Sequence, residues 1–395
     1  MASVPWRIVA GLAVGNLLNP LNSSMIAVAL VSLSGDFGVS LGTVTWVVSA
    51  FYLGGMVGMP LMGQLTDRFG ARRMLTVGLV LVGVTSALAP LTRVLAVLLG
   101  LRLLQAVGTS APYPAALAIF RARNPGGRAP AGALGAISIT NSVSSALGPV
   151  LGGALVAFAG WQAIFAANVP LAALALLLAF VWLPRDQVAR ESSARKVRVW
   201  SLLRGKALVA VYAQFALVNV VFYGVFYGLP LWLEQTRHYA PDLTGLILLP
   251  VAGIGVLATP VAARLIDRMG PRPSLIIGSV VLLLGSLLLL RFGSETALLE
   301  LLVVGAVLGV PNGFNNLGLQ AALYEAAASD QIGAAAGLLQ TFRYAGAIAS
   351  TAIIGAVFGA DASSNSLHVL ALVMAVTSAA LVLASIFAYR PSSAE

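Results

Sequence analysis

Two short stretches of the 395-residue chain carry the same arrangement of charge. In "GQLTDRFGARRML", residues 63–75, Gly63 opens a run in which Asp67 precedes Arg68, Gly70 and Arg72. In "ARLIDRMGPRPSL", residues 263–275, Asp267, Arg268, Gly270 and Arg272 repeat that order at an offset of 200 residues. A carboxylate beside a helix N-terminus gains about 0.3–1 kcal/mol from unpaired N–H groups and the dipole when exposed, and more when partly buried. The glycine supplies a chain reversal without a Cβ penalty. Both histidines, His238 and His368, read as outer-loop residues, and no Ser/His/Asp or carboxylate–His cluster falls within an apolar run. No catalytic residue is assigned and an enzyme is not expected. The phosphate-binding pattern G-x-x-x-x-G-K-[ST] does not occur, so direct ATP drive is unsupported. There is no cysteine, which excludes disulfides and thiolate metal sites, and no metal or cofactor is expected.

The elements that must hold these residues follow from composition. Hydrophobic residues make up 59% of the chain, charged residues only 9%, and the mean hydropathy is +0.95. Soluble domains carry roughly a quarter charged residues. Apolar runs long enough to cross a hydrocarbon core of ~30 Å recur along the whole length. Their length predicts helices, since a membrane strand needs only about ten alternating residues. The expected spans lie near 8–33, 43–65, 74–92, 94–120, 131–158, 163–183, 207–233, 243–265, 274–292, 297–322, 333–360 and 366–389. The N-terminus leads straight into the first run, which reads as a retained helix rather than a cleaved signal.

Basic residues orient the spans. With the N-terminus inside, the inner loops and termini hold 18 of the 23 Lys and Arg, and the outer loops hold Arg93, Arg237 and Arg291. Arg102 and Arg343 remain within spans. That bias predicts both termini in the cytoplasm, in the cell inner (plasma) membrane. It accounts for the net charge of +10 without nucleic acid, and no nucleic-acid partner is expected. Trp6, Trp182 and Trp200 fall at predicted inner ends and Trp46, Trp161 and Trp232 at outer ends, as an interfacial belt would. Residues 184–206 are polar and basic, and read as a cytoplasmic linker between an N-terminal six-helix bundle, 1–183, and a C-terminal one, 207–395. Each copy of the charged stretch follows the second span of its half, so two parallel repeats with a pseudo-two-fold axis along the membrane normal are predicted.

The doubled D-R-x-G-x-R element, the twelve spans and the central linker resemble the major facilitator superfamily over essentially the whole chain. Within it, "GPVLGGALVAFAGWQAIFAANVP", 148–170, resembles the antiporter element of drug exporters running into a G-W-x-x-I-F-x-x-N-x-P segment. "RLLQAVGTS", 102–110, resembles their R-x-x-Q-G-x-G element, with Ala106 in place of the first glycine. "LNSSMIAVAL", 21–30, resembles the first-span element of the multidrug:proton antiporters. The resemblance implies an all-α major facilitator fold and a secondary transporter working by alternating access, with a small-molecule substrate, the lipid bilayer and protons as its partners. One chain is enough to form a transport path, so a monomer is expected.

The resemblance also implies roles. Asp67 would meet the inner start of span eleven near Gly333, and Asp267 the start of span five, biasing outward-open against inward-open states; the plain alternative is a loop that only sets topology. Gly148, Pro149, Gly152 and Gly153 would form a close-packed bend in span five, through a small-xxx-small pair and a missing hydrogen bond. Gly54, Gly55, Gly58 and Pro60 in span two read as helix packing. Spans 1, 4, 7 and 10 would line a central cavity, with polar residues that are costly in lipid facing it. The candidates are Asn19 and Asn22 in a span broken by Pro20, Arg102, Gln105 and Tyr113, Asn219, Tyr223 and Tyr227, Asn312, Asn315 and Asn316, and Gln340 and Arg343. Each amide is equally readable as an interhelical hydrogen bond.

One departure matters. Drug:proton antiporters of this type carry an intramembrane carboxylate, and where the first span commonly places an aspartate this chain has Asn22, which cannot titrate. Glu234 and Glu325, near span ends, are the remaining proton candidates. Arg102 and Arg343 sit deep in their spans and mark either an anion-attracting cavity or, for Arg102, a structural arginine orienting span-one carbonyls. The expected function is export of amphipathic small molecules, multidrug efflux coupled to protons through a peripheral acid. The alternatives are transport of anionic or zwitterionic metabolites centred on Arg343 and Arg102, and a non-transporting receptor or scaffold.

Overall fold

A computed structural model describes residues 5–123, 131–184, 202–328, 331–359 and 362–387. Among the described residues the chain is helical with no strand. Eleven helices are long and apolar enough to cross a membrane, or twelve if a bent first pair is one span. Span one runs over Trp6–Met25 and Leu30–Phe37, joined by a 3-10 turn at Ile26–Val28. The others are Trp46–Phe69, Ala71–Leu88, Leu95–Thr109 with Pro112–Arg123, Ala131–Ala159, Gln162–Trp182, Lys206–Thr236, Pro241–Met269, Pro271–Leu288, Leu298–Ala326, Ile332–Phe358 and Ser364–Phe387. Most of the basic linker, together with Trp200, lies outside the described residues.

The charged stretches are not extended loops. Span two continues to Phe69 and span three begins at Ala71, so the chain reverses at Gly70 alone, with φ 97° and ψ 148°. Gly270 repeats the reversal between spans eight and nine at φ 75°. The aspartates and first arginines therefore sit on the last turn of a helix, and Arg72 and Arg272 on the first turn of the next. The helices thus run past the span end expected near 65 and begin before the start expected near 74, because one residue in a conformation open to glycine makes a longer loop unnecessary.

The chain separates into two compact units, Met1–Gly38 with Trp46–Arg195, and Val39–Thr45 with Lys196–Glu395. In the first, span one packs on spans five and six, span two on four, and span three on four and six. In the second, span seven packs on eleven and twelve, span eight on ten, and span nine on ten and twelve. The packing order of the first six spans is thus repeated by the second six. The short helix Leu41–Val44 belongs to the second unit, where the Gly42 N–H donates to the Gly359 carbonyl at 2.8 Å.

Span one is bent by 66°. The break falls at Ile26–Ala29 rather than at Pro20, which stands inside the continuous helix Trp6–Met25; hydroxyls of Ser23 and Ser24 donate to the Pro20 carbonyl. Span five lies directly against the approach to the break. A Cβ on Gly148 would overlap the Ser24 hydroxyl, and one on Gly152 would stand 2.6 Å from the Met25 carbonyl oxygen and 2.9 Å from its Cα. This is the close backbone approach that a small-xxx-small pair permits.

Two tryptophans leave the expected interfacial belt. Trp161 is 2% exposed and donates through Nε1 to Asp36 at 2.7 Å, and Trp232 is fully buried and donates to Ser364 at 3.2 Å. An indole that finds an acceptor inside the protein no longer needs the wet headgroup layer. Trp6 and Trp46 do stand exposed.

Candidate functional site

The first unit gathers its mid-span polar groups around Arg102, whose side chain is fully buried. Its guanidinium lies 4.3 Å from the ring centroid of Phe51 and 5.7 Å from that of Phe165. It donates to Gln105 Oε1 at 2.8 Å, to the Val47 carbonyl at 3.4 Å and to the Asn22 carbonyl at 3.5 Å. Gln105 in turn donates to Ser86 at 2.7 Å. A cation over a desolvated ring gains ~2 kcal/mol or more, and each carbonyl bond adds to it. One side chain therefore ties spans one, two, four and six together, and reaches span three through Gln105.

Beside it, Asn22 and Asn168 exchange hydrogen bonds at 3.0 and 2.8 Å, and Asn168 also donates to the Ile164 carbonyl at 2.9 Å. Asn19, half-buried, donates to Thr109 at 3.0 Å. Span four breaks just beyond Thr109, where Pro112 begins its second segment; a proline disfavours helical geometry in the residue before it. Tyr113, at the start of that segment, is 44% exposed. Four members of the cluster were absent from the sequence candidates: Phe51, Ser86, Phe165 and Asn168. Phe165 and Asn168 do fall inside the quoted G-W-x-x-I-F-x-x-N-x-P segment, which was the available signal.

The second unit arranges a different set. On span seven, Tyr223 and Tyr227 stack at 5.8 Å and 13°, and Phe222 and Phe226 at 5.5 Å and 23°. The two pairs meet edge-on, Phe222 against Tyr223 and Phe226 against Tyr227. Half-buried Arg343 of span eleven donates from Nε to the Tyr223 hydroxyl at 3.3 Å. One turn later, Gly346 lets span eleven lie on the backbone of Ala216 and on Asn219. Asn219 donates to the Phe215 carbonyl of its own helix at 2.7 Å, and Gln340 is half-buried one turn before Arg343.

The span-ten amides separate. Asn316 donates to Asn312, whose Cβ packs toward Gly255 of span eight. Asn315 is fully buried against Gly278 of span nine, and neither of its polar side-chain atoms has a hydrogen-bond partner among the described residues. Glu325 is exposed at the end of span ten. Glu234, near the end of span seven, has Oε1 enclosed by protein with no hydrogen-bond partner among the described residues.

At the charged turns, Asp67 and Asp267 are exposed at their helix ends. Arg72 donates to the Phe180 carbonyl at 2.9 Å, near the end of span six, and Arg272 to the Ile386 carbonyl at 2.8 Å, near the end of span twelve. Arg72 also lies 5.6 Å from the Phe180 ring centroid. An arginine on the last carbonyls of a helix satisfies acceptors that have no partner within it.

Electrostatics distinguish what the two sets offer a solute. A unit charge ~6 Å from a guanidinium feels about 3 kcal/mol at an effective dielectric constant near 20, against ~0.5–2 kcal/mol for a cation over a ring face. Arg102 is enclosed, whereas Arg343 is half-buried.

Long apolar helices in two matching sets, holding arginine, amides and phenols inside their spans, define a polytopic membrane transport protein. Residues 12–351 and 254–394 match the Major Facilitator Superfamily. The chain is 32% identical to the uncharacterized MFS-type transporter YwoD of Bacillus subtilis (strain 168), over 95% of each protein. It is 27% identical to the tetracenomycin C resistance and export protein of Streptomyces glaucescens, over 89% of this chain and 75% of that one. It is 26% identical to the multidrug resistance protein Stp of Mycobacterium tuberculosis (strain ATCC 25618 / H37Rv), over 87% and 74%. Among solved structures, the nucleoside transporter NupG aligns with a TM-score of 0.76 at 16% identity, covering 97% of this chain and all of that one. A bacterial homolog of the human lysosomal transporter Spinster aligns at 0.78 and 16%, covering 99% of this chain. This chain belongs to the major facilitator superfamily.

Proposed function

We propose that the chain is a secondary active transporter working by alternating access, which exports amphipathic small molecules across the plasma membrane as a monomer with both termini in the cytoplasm. The observation that carries the reading is the mid-span group of aromatic rings on span seven, the stacked pairs Phe222–Phe226 and Tyr223–Tyr227, near Gln340, of which Phe222 and Gln340 are half-buried; an amphipathic solute is held by such a mixture of apolar and hydrogen-bonding groups. Similarity to proteins named for resistance and export supports the direction of transport. Asp67 and Asp267 serve as the breakable latches at their turns, and Arg102 as an internal strut rather than as a substrate ligand.

Proton coupling falls to Glu234. A carrier acid must be sealed from water on one side during the cycle, and Oε1 of Glu234 is enclosed while Glu325 is exposed. The test is flux in proteoliposomes under an imposed pH gradient, with a lipophilic dye as solute. The wild type should move the dye down to a gradient-dependent steady state, and Glu234→Gln should lose the gradient dependence while Glu325→Gln keeps it. Failure to move any cationic, neutral or anionic amphiphile under either a gradient or a potential would favour a receptor.

A further inference from the structure

We propose that Arg264 and Arg268 hold the phosphate of an anionic phospholipid, whose acyl chain lies along the exposed face of span eight. The site depends on the bilayer and not on the solute that the chain moves, so it stands or falls apart from the export reading. Positions 246, 253, 257, 261, 264 and 268 recur at helical spacing and so share one side of Pro241–Met269. Leu246, Leu257 and Val261 are exposed there, Leu257 by 72%. Gly253 leaves a notch among them, since an added Cβ would meet only the Leu249 side chain, at 4.0 Å. Arg264 and Arg268, both exposed, follow on the same side at the end of the helix. Leu246 lies about 27 Å along the axis from Arg264, close to the ~30 Å of a hydrocarbon core. An apolar strip of that length ending in two cations matches a lipid, tail and head. It matches a soluble phosphate only at its end.

The two charges have no other use among the described residues. Neither arginine makes an ion pair there, and neither donates to a carbonyl at its helix end. Asp267 stands on the same turn, to one side, exposed and paired with neither of them. Like charges one turn apart on a helix repel each other. A phosphate between them removes that repulsion and accepts from both guanidinium groups.

The first unit supplies the comparison. At the offset of 200 residues, Val57, Leu61, Gln64 and Arg68 occupy the matching side of span two, and all four are exposed. An amide stands where the second unit has its first arginine, and Arg68 lies 5.1 Å from the ring centroid of Phe69. One charge remains on that side where the second unit has two, so the first unit draws anionic lipid less strongly.

The chain contains no cysteine, so a single donor dye can be attached wherever one is introduced. Met269→Cys, at the exposed residue after Arg268, carries the dye on the full chain in phosphatidylcholine nanodiscs. Trace phosphatidylglycerol or phosphatidylcholine bears the same acceptor on its tail, and energy transfer reports which lipid gathers at the dye. Phosphatidylglycerol should be enriched about tenfold or more, as two arginines near an anionic headgroup allow. Arg264→Gln should cut the enrichment about fivefold, and Arg264→Lys should keep most of it. Gln64→Arg, read from Phe69→Cys, should raise the enrichment at span two about fivefold. Excess glycerol phosphate should leave the transfer unchanged. Equal transfer from the two lipids at Met269→Cys, or an enrichment that survives Arg264→Gln, overturns the site. Enrichment abolished by glycerol phosphate assigns the arginines to a soluble anion and overturns the lipid. Should Arg264→Gln fail to fold, Gln64→Arg decides: an enrichment at span two that does not rise overturns the pairing of two arginines.

Discussion

Asn22 of span one and Asn168 of span six are each the other's donor and acceptor, at 3.0 and 2.8 Å, with both side chains fully buried. Asn22 stands at the first-span position where the resembled drug:proton antiporters commonly place an aspartate. Two amides satisfy one another there without a charge, so the first unit needs no titrating group to complete its mid-span contacts.

Replacing one member should therefore cost more than replacing both. Asn168→Leu leaves the Asn22 amide buried with neither its donor nor its acceptor met, a loss of about 1–3 kcal/mol. The double change Asn22→Leu with Asn168→Leu should recover part of that loss. Thermal unfolding in detergent, followed for the two single variants and the double, checks the expectation; additive losses would contradict it.

Span five offers a steric test. A methyl group at Gly152 meets backbone atoms of Met25, which cannot rotate away as a side chain could. Gly152→Ala should push spans one and five apart and cost about 1–3 kcal/mol, the usual range for overpacking. Gly132→Ala, on the same helix with open space around it, should leave the unfolding temperature within a degree or so.

The first charged turn contains a matched pair of glycines. Gly70 sits at φ 97° and ψ 148°, a region that costs an L-residue roughly 1–3 kcal/mol, whereas Gly63 is helical with nothing within 4 Å of an added Cβ. Gly70→Ala should lower the yield of folded protein and its melting temperature, and Gly63→Ala should lower neither. Comparing the two by size-exclusion profile and thermal shift separates the turn's geometry from mere loss of a glycine.

Asp67 tests the latch. Exposed at its helix end, it contributes little to the stability of its own unit, so Asp67→Asn should insert and melt as the wild type does. Flux should nevertheless fall by severalfold, because the amide keeps the shape and drops the charge that a helix N-terminus attracts. A fully active Asp67→Asn protein would leave the aspartate without a gating role.

Legibility in the sequence tracked how far each property depends on neighbours in space. The spans were readable because membrane crossing demands long apolar runs, and the observed helices overlap every expected one. The repeat was readable because charge is rare enough for two like stretches to stand out. Phe51 and Phe165 were not readable as partners of Arg102, since a phenylalanine in an apolar run looks the same whether it meets lipid or a guanidinium. Trp161 and Trp232 were misplaced for the same reason: the position of an indole along a span does not reveal whether an acceptor waits inside. Pro20 marks a break in the sequence, but the bend falls beyond it at Ile26–Ala29, where no proline signals it.

The clasp between Arg72 and Phe180 recurs between Arg272 and Ile386, yet the middles of the two units share no such correspondence. One has a sealed arginine among amides, and the other an arginine against a ledge of rings. If the halves descend from one duplicated ancestor, its closure was fixed before its chemistry. The margins of each copy would then be inherited common ground, and the interiors the places where the two diverged, one around an enclosed arginine and the other around an arginine beside aromatic rings.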